Sequence, residues 1–294
     1  MARQQYQEAI VVRRDLDFGL SHDDIPRYWM AGDAFMTRVF DAVQSTFPDG
    51  ERYFISAVRA FRDRITDPKL LADVKDFTQQ EGQHGQVHTR YNDRLRRQGI
   101  DIDAFTRRTR VITERRLKNL SPEYNIAMTA ALEHFTAMMA DLFFAEKTMM
   151  QGADARVRAL FAWHAIEEME HKAVAFDVMQ QVAGVGYATR VTAMTHASVL
   201  FSLYTVVSPW FMLAMDGYSK TERLKLYGKH LGWMFGPRKG ILPRLLPMLA
   251  SYYRPGFHPN HIPTVHNYAA WLETFERTGD SIAAADAMHE AAVA

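Results

Sequence analysis

Two Glu-x-x-His motifs, Glu81-Gly-Gln-His84 and Glu168-Met-Glu-His171, are the residues in this chain best spaced for chemistry. Residues three apart share a helix face, so each motif aims a carboxylate and an imidazole at one point. Two such helices, each paired with a helix bearing one inward Glu, make the ligand set of a carboxylate-bridged di-metal centre in a four-helix bundle. Glu51 and Glu133 are the candidates for the single carboxylates. In ferritin-like geometry Glu81 and Glu168 bridge two ions, His84 and His171 cap one each, and Glu51 and Glu133 complete the two sides. Four carboxylates buried together raise one another's pKa and lose hydration, so such a cluster makes sense only with cations present.

Two further histidines share these faces. His164 lies four residues before Glu168 and offers one ion an extra imidazole; His88 lies four after His84 and reads as an additional ligand or a partner behind the ligands. One Glu-x-x-His arises by chance in many exposed helices; the argument rests on two, each with a spare Glu on a neighbouring helix. Glu133 sits in an apolar stretch, which disfavours a solvated role. Glu51 follows Pro48-Asp49-Gly50 and is also explained as a charge at a helix N-terminus. Glu167 and Glu170 should point away from the centre, to solvent or to partners behind the ligands. His134 reads as one of those partners or as structural, and His22, His258, His261, His266 and His289 fit no pattern.

The elements that must hold these residues are helical. Apolar residues recur at three and four spacing over 28–43, 52–65, 68–95, 122–150 and 155–182. Asp67-Pro68 and Ser121-Pro122-Glu123 open helices, while Gly99 and then Gly184 and Gly186 close them. No alternating run suggests a strand. The expected fold is all-α: a ferritin-like four-helix bundle over 1–190, with additional C-terminal helices over 191–294 packed on it as an appendage. The long interval between Glu81 and Glu133 accommodates the crossover of such bundles. Beyond Val191 seven prolines, from Pro209 to Pro263, predict short pieces before an amphipathic stretch at 266–277.

Composition narrows the chemistry. The chain has 294 residues, 48% of them hydrophobic and 23% charged, with a formal net charge of +1, giving no global attraction to nucleic acid. There is no cysteine, which excludes disulfides, thiolate-held zinc, Fe–S clusters and a thiol nucleophile. Residues 1–8 lack the apolar core of a signal peptide, so a cytoplasmic location is expected.

One region departs from the average. Val191–Met215 carries no Asp, Glu, Lys or Arg and is long enough to span a bilayer, although its Ser and Thr residues and Pro209 fit a buried helix better. The next segment, 216–254, has eight Lys/Arg against Asp216 and Glu222. Lys220, Arg223, Lys225, Lys229, Arg238, Lys239 and Arg244 alternate there with Leu and aromatic residues, predicting peripheral contact with an anionic membrane and an apolar substrate.

The stretches around Phe47–Phe54, Phe77–His88, Ala130–His134 and Trp163–Asp177 resemble a bacterial family known as predicted metal-dependent hydrolases, over roughly residues 20–275. The spacing His164-x3-Glu168-x2-His171 is also similar to that of ferritin-like di-iron aryl-amine N-oxygenases, in which the extra histidine is a ligand. His88 and the C-terminal third depart from the second pattern. The leading expectation is a non-haem di-iron oxidoreductase that uses O2 to oxygenate or desaturate a hydrophobic small molecule. Electrons would come from a separate donor, since no G-x-G-x-x-G fingerprint is present. The alternatives are a di-metal hydrolase loaded with Zn, Mn or Fe, and an iron store or oxidant scavenger. Two metal ions, iron first, are the expected cofactors, and a homodimer is among the expected assemblies.

Overall fold

The computed structural model describes residues 9–14, 16–22, 24–237 and 240–293. Among these there is no strand, only isolated bridges between Met30 and Ala153 and between Glu146 and Val293, so the chain is all-α. The helices are α1 (Ala34–Ser45), α2 (Phe47–Arg59), α3 (Pro68–Arg97), α4 (Ile102–Asn119), α5 (Pro122–Phe144), the single turn α6 (Lys147–Met150), α7 (Ala155–His171), the short α8 (Val174–Asp177), α9 (Tyr187–Met215), α10 (Lys220–Phe235), α11 (Ile241–Tyr252), α12 (Tyr268–Thr278) and α13 (Ser281–Glu290).

The long helices start where their sequences provide caps. Asp67 accepts from Lys69 N ahead of Pro68, Ser121 accepts from Tyr124 N ahead of Pro122, and Asp154 accepts from Arg156 N. Each satisfies an N–H that the first turn leaves without a helical partner. Gly99, at φ 86°, ends α3 by letting Ile100 N return to Leu95 O. Helix α2 packs on α3 and α5, and α7 packs on α5 and α3, closing a ring of four helices.

Three expectations change. The helix expected over 155–182 ends at His171, turns at Lys172 and Ala173, and resumes as α8 and a π-helical turn over Val178–Val182. Lys172 Nζ reaches Ile262 O at 2.7 Å there, so this break in the helix is tied to the C-terminal part. The helix expected over 122–150 divides at Glu146, where the backbone bridges Val293 instead. Prolines fragment the region after Val191 only in part: α9 runs unbroken through Pro209 for 29 residues and α11 through Pro247, whereas Pro237 lies between α10 and α11 and Pro255, Pro259 and Pro263 lie between α11 and α12. Backbone acceptors near Pro209 find side-chain donors, with Tyr227 Oη on Val206 O and Arg223 Nη1 on Trp210 O.

Helix α9 is long and apolar enough to cross a membrane, and only 28% of its most apolar stretch is buried. It lies along α1 and α5 through Ala193, Met194, Ala197 and Leu213. Val199, Leu203, Val207, Phe211 and Met215, four apart, form an exposed stripe on its outer side. The basic segment that follows is less free than its composition suggests. Arg223 is buried with its guanidinium 4.2 Å above Trp210, Lys229 pairs with Asp33, and Arg244 pairs with Glu146. Lys220 and Lys225 are exposed; Arg238 and Lys239 lie outside the described residues, as do residues 1–8.

Candidate metal centre

The four helices of the ring bring the seven sequence-selected side chains to one place. Glu51 comes from α2, Glu81 and His84 from α3, Glu133 from α5, and His164, Glu168 and His171 from α7, and all are buried. Their donor atoms, together with those of His88, form four overlapping groups that could hold a metal ion. Glu81, Glu133, Glu168 and His171 lie within 4.8 Å of one another, as do His84, His164 and Glu168, then Glu51, Glu81 and His84, and finally Glu51, His88 and His164. Glu81 and Glu168 each belong to two of these groups. Glu51 falls with His84 and Glu133 with His171. A glycine makes room for this: a Cβ on Gly85 would come within 3.2 Å of Glu51 Oε2.

The polar atoms suit cations and little else. Both oxygens of Glu51, Glu81 and Glu133, both ring nitrogens of His84, and Nε2 of His164 and of His171 are buried without a hydrogen-bond partner. Several approach one another, His171 Nε2 lying 3.1 Å from Glu81 Oε1 and His164 Nε2 3.0 Å from Glu168 Oε1. So many converging lone pairs with no donors match an O/N ligand set for Fe, Mn or Zn.

Electrostatics say the same. Burial, then the charges of Glu81 and Glu168, pushes the carboxyls of Glu51 and Glu133 well above the usual range. Burial also raises Glu81, against the pull of His171. Glu168 goes the other way: burial opposes its ionisation, but the imidazoles of His171 and His164 outweigh it and hold it well below. His171 is the counterpart, raised by Glu168, Glu133 and Glu81 despite burial, while burial drives His84 well down. On its own the cluster resolves its charge by one internal ion pair and protonated carboxyls; divalent ions would replace both.

Behind the ligands stands a layer of oriented partners. His171 Nδ1 donates to Gln80 Oε1 at 2.8 Å, leaving Nε2 for the centre, and Gln80 Nε2 donates to Glu170 Oε2 at 2.8 Å. Glu170 also takes both ends of the Arg13 guanidinium, at 2.7 and 3.1 Å, and the Tyr268 hydroxyl at 2.9 Å. His84 Nε2 lies 3.1 Å from Glu167 Oε2, so its Nδ1 faces inward. Glu167 accepts from Trp163 Nε1 at 2.8 Å, and burial pushes its carboxyl up to about 8 despite Arg13. Glu167 and Glu170 are therefore partners behind the ligands, and the solvent-facing alternative for them does not hold. Thr136 Oγ1 hydrogen-bonds Glu168 Oε2.

His88 is occupied at both ring nitrogens. Nδ1 lies 3.2 Å from Gln44 Oε1, which can only accept, so the proton sits on Nδ1. Nε2 then accepts from His164 Nδ1 at 2.8 Å, freeing His164 Nε2 for the centre. Gln44 is itself fixed by donating to Asn92 Oδ1 at 3.0 Å. Of the two readings of His88, the partner behind the ligands fits this geometry. His134 is structural: its Nε2 reaches Met248 O, and its ring packs on Tyr252 and Phe257.

Arg13, Gln44, Gln80 and Thr136 carry no local sequence signal for these roles. Each works through contacts that only the tertiary fold creates.

An apolar cavity of about 430 Å³ ends on the centre. Glu51, His164, Glu168 and Thr136 line its inner end, and α2, α4, α5 and α9 supply the walls. A second, smaller apolar cavity of about 50 Å³ shares Phe47, Thr136, Met139 and His164 with it and continues towards Phe161, Trp233 and Leu245.

A family model described as predicted metal-dependent hydrolase matches residues 12–262. No curated protein and no solved structure matches the chain.

Proposed function

The chain belongs to the predicted metal-dependent hydrolase family, and from that premise we propose that it hydrolyses an apolar small molecule at a centre of two divalent ions, Zn, Mn or Fe. The observation that carries this is the set of buried, partnerless carboxylate and imidazole atoms at the inner end of an apolar cavity. Glu81 and Glu168 would bridge, Glu51, His84 and His164 would complete one side, and Glu133 and His171 the other. When bound, such ions supply Lewis acidity, acidifying water and polarising an ester, amide or phosphoester oxygen. The chain's own residues do the rest. Gln80 and the His88–Gln44 pair fix the imidazole tautomers, Thr136 fixes Glu168, and the apolar walls orient the substrate and keep bulk water out.

A second reading is oxidation of an apolar molecule by O2 at two iron ions, with electrons from a separate donor. The additional imidazole of His164 beside an apolar cavity favours it. One experiment separates the two. Protein with measured metal content is loaded anaerobically with Zn, Mn or Fe(II) and offered long-chain esters, amides and phosphoesters. Turnover with redox-inert Zn supports hydrolysis. No turnover with any metal, together with an optical band when the Fe(II) protein meets O2, overturns it in favour of oxidation.

The same reading includes contact with an anionic membrane surface. The exposed stripe of α9 supports it, because Leu203 and Val207 of that stripe also line the mouth of the cavity.

A further inference from the structure

The mouth of the large cavity lies between α4, which supplies Arg108, Thr109, Ile112, Thr113 and Arg116, and the apolar side of α9, with Ile112 and Leu203 among its exposed residues. Apart from the metal-centre residues, the charged side chains lining the cavity are the exposed Arg108 and the partly buried Arg116, about two helical turns apart on one side of α4. Neither guanidinium forms an ion pair or a side-chain hydrogen bond within the described residues, whereas Arg110 on the same helix pairs with Asp49 at 3.1 Å. Arg116 is half-buried between α4 and the cavity, and burial lowers its pKa. A partly desolvated guanidinium with neither kind of partner stands out in a fold whose buried cations either pair with carboxylates, as Arg13 and Arg38 do, or donate to backbone carbonyls, as Arg94, Lys172, Arg190 and Arg223 do.

We propose that the cavity takes a long-chain amphiphile whose anionic head, a carboxylate, sulfate or phosphate, is held at the mouth by Arg108 and Arg116. The inference rests on the reading of the metal centre as the reacting end. The apolar chain runs inward past Phe47 and Leu132 to the metal ligands, and its far end reaches towards the smaller cavity at Phe161 and Trp233. The ester, amide or phosphoester bond to be hydrolysed is therefore inside the chain, separated from the head by the depth of the cavity. Arg rather than Lys suits this task, because its planar fork meets a carboxylate or phosphate with two parallel hydrogen bonds.

The test reads binding rather than turnover, on the metal-loaded full chain. Cis-parinaric acid serves as the fluorescent probe, and palmitate and hexadecanol compete against it. Palmitate should displace the probe at least about tenfold more effectively than hexadecanol, as expected for one charge-assisted contact. In Arg108→Gln/Arg116→Gln, with unchanged metal content and circular dichroism, that preference should collapse towards parity while hexadecanol binds as before. Equal competition in the wild type, absence of saturable probe binding, or a palmitate preference that survives in the double variant overturns the proposal. The last outcome would mean that the carboxylate sits on the metal instead. A chain that passes this test yet hydrolyses nothing fails the functional reading alone; one that hydrolyses only neutral substrates fails this one alone.

Discussion

The candidate metal centre opens in two directions with different linings. Towards α4 and α9 it meets the cavity of about 430 Å³ walled by Phe, Leu, Met and Val side chains. Towards the gap between α2 and α3 it meets a groove of about 420 Å³ where Arg52, Gln86, Thr89 and Arg90 stand around Glu51 and Glu81. Glu51 lines both. One set of ligands is thus reachable by an oily molecule from one side and by water or a hydrated ion from the other. The contrast has a structural cause. Gly82 and Gly85 strip side chains from the α3 face beside the groove, while α5 and α9 fill the opposite side with apolar ones. Substrate and ions need not share a path.

The strongest way to break this picture acts on both sides at once. Glu168→Ala removes a carboxylate common to two of the metal groups. We expect metal content by elemental analysis to fall from two ions per chain to one or none, with activity at background. A variant that still binds two ions tightly would remove Glu168 from the bridge and dissolve the single centre that both openings are taken to serve.

Next in size is His88→Phe, which alters only the apolar side. His164 loses the acceptor for its Nδ1 proton, so its inward nitrogen is no longer specified. Affinity for one of the two ions should drop about 10- to 100-fold, the usual cost of losing a partner behind a ligand. Competition with a chelator measures it. Equal weakening of both ions would show that His88 supports the whole bundle rather than one side.

These residues also show where sequence stops being informative. Glu81 with His84, and Glu168 with His171, are legible because a three-residue spacing converges on any helix. Glu133 is legible from its apolar neighbours, and Glu51 only weakly, since a helix N-terminus explains it equally well. The direction in which His88 points depends on Gln44, 44 residues away, and the pairing of Glu170 depends on Arg13, 157 residues away. No local spacing encodes either. Helix α4 is missing from the periodic stretches for a different reason. Of its residues only Ile102 is buried, and Val111, Ile112 and Leu117 face outwards, so it has no core-facing stripe to detect. The family resemblance is carried by the same motifs that carry the ligands, and says nothing of α4 or the cavity.

A paired substitution tests the two paths directly. Leu132→Trp adds bulk on the apolar side, and Gly85→Val narrows the polar groove, where even a Cβ would press on Glu51. We expect Leu132→Trp to raise KM for a long-chain substrate about tenfold, leaving a short-chain analogue and metal content little changed. Gly85→Val should slow reloading of the metal-stripped protein without changing the long-chain KM. If both variants affect chain-length preference alike, the two openings are not separate routes.

The smallest effect belongs to the outer rim, where the apolar side meets the surroundings. Sequence reading placed membrane attachment on the basic segment after α9, yet Arg223, Lys229 and Arg244 are engaged within the fold. What remains available is, on α10, the exposed Lys220, Lys225, Leu224 and Leu231 and, beside the cavity and the arginines of α4, the α9 stripe, with Leu203 57% and Phe211 49% exposed. The chain should therefore co-sediment with phosphatidylglycerol-containing vesicles at low salt and less at high salt, because the basic contribution is screened. Leu203→Asp/Phe211→Asp should cut the bound fraction several-fold, whereas Lys220→Gln/Lys225→Gln should change it less, since Leu203 lines the cavity and neither lysine does. No binding by the wild type at low salt sinks the membrane contact. Binding that follows the lysines and ignores the stripe would move the contact to α10, and the cavity would then have to receive its substrate from solution.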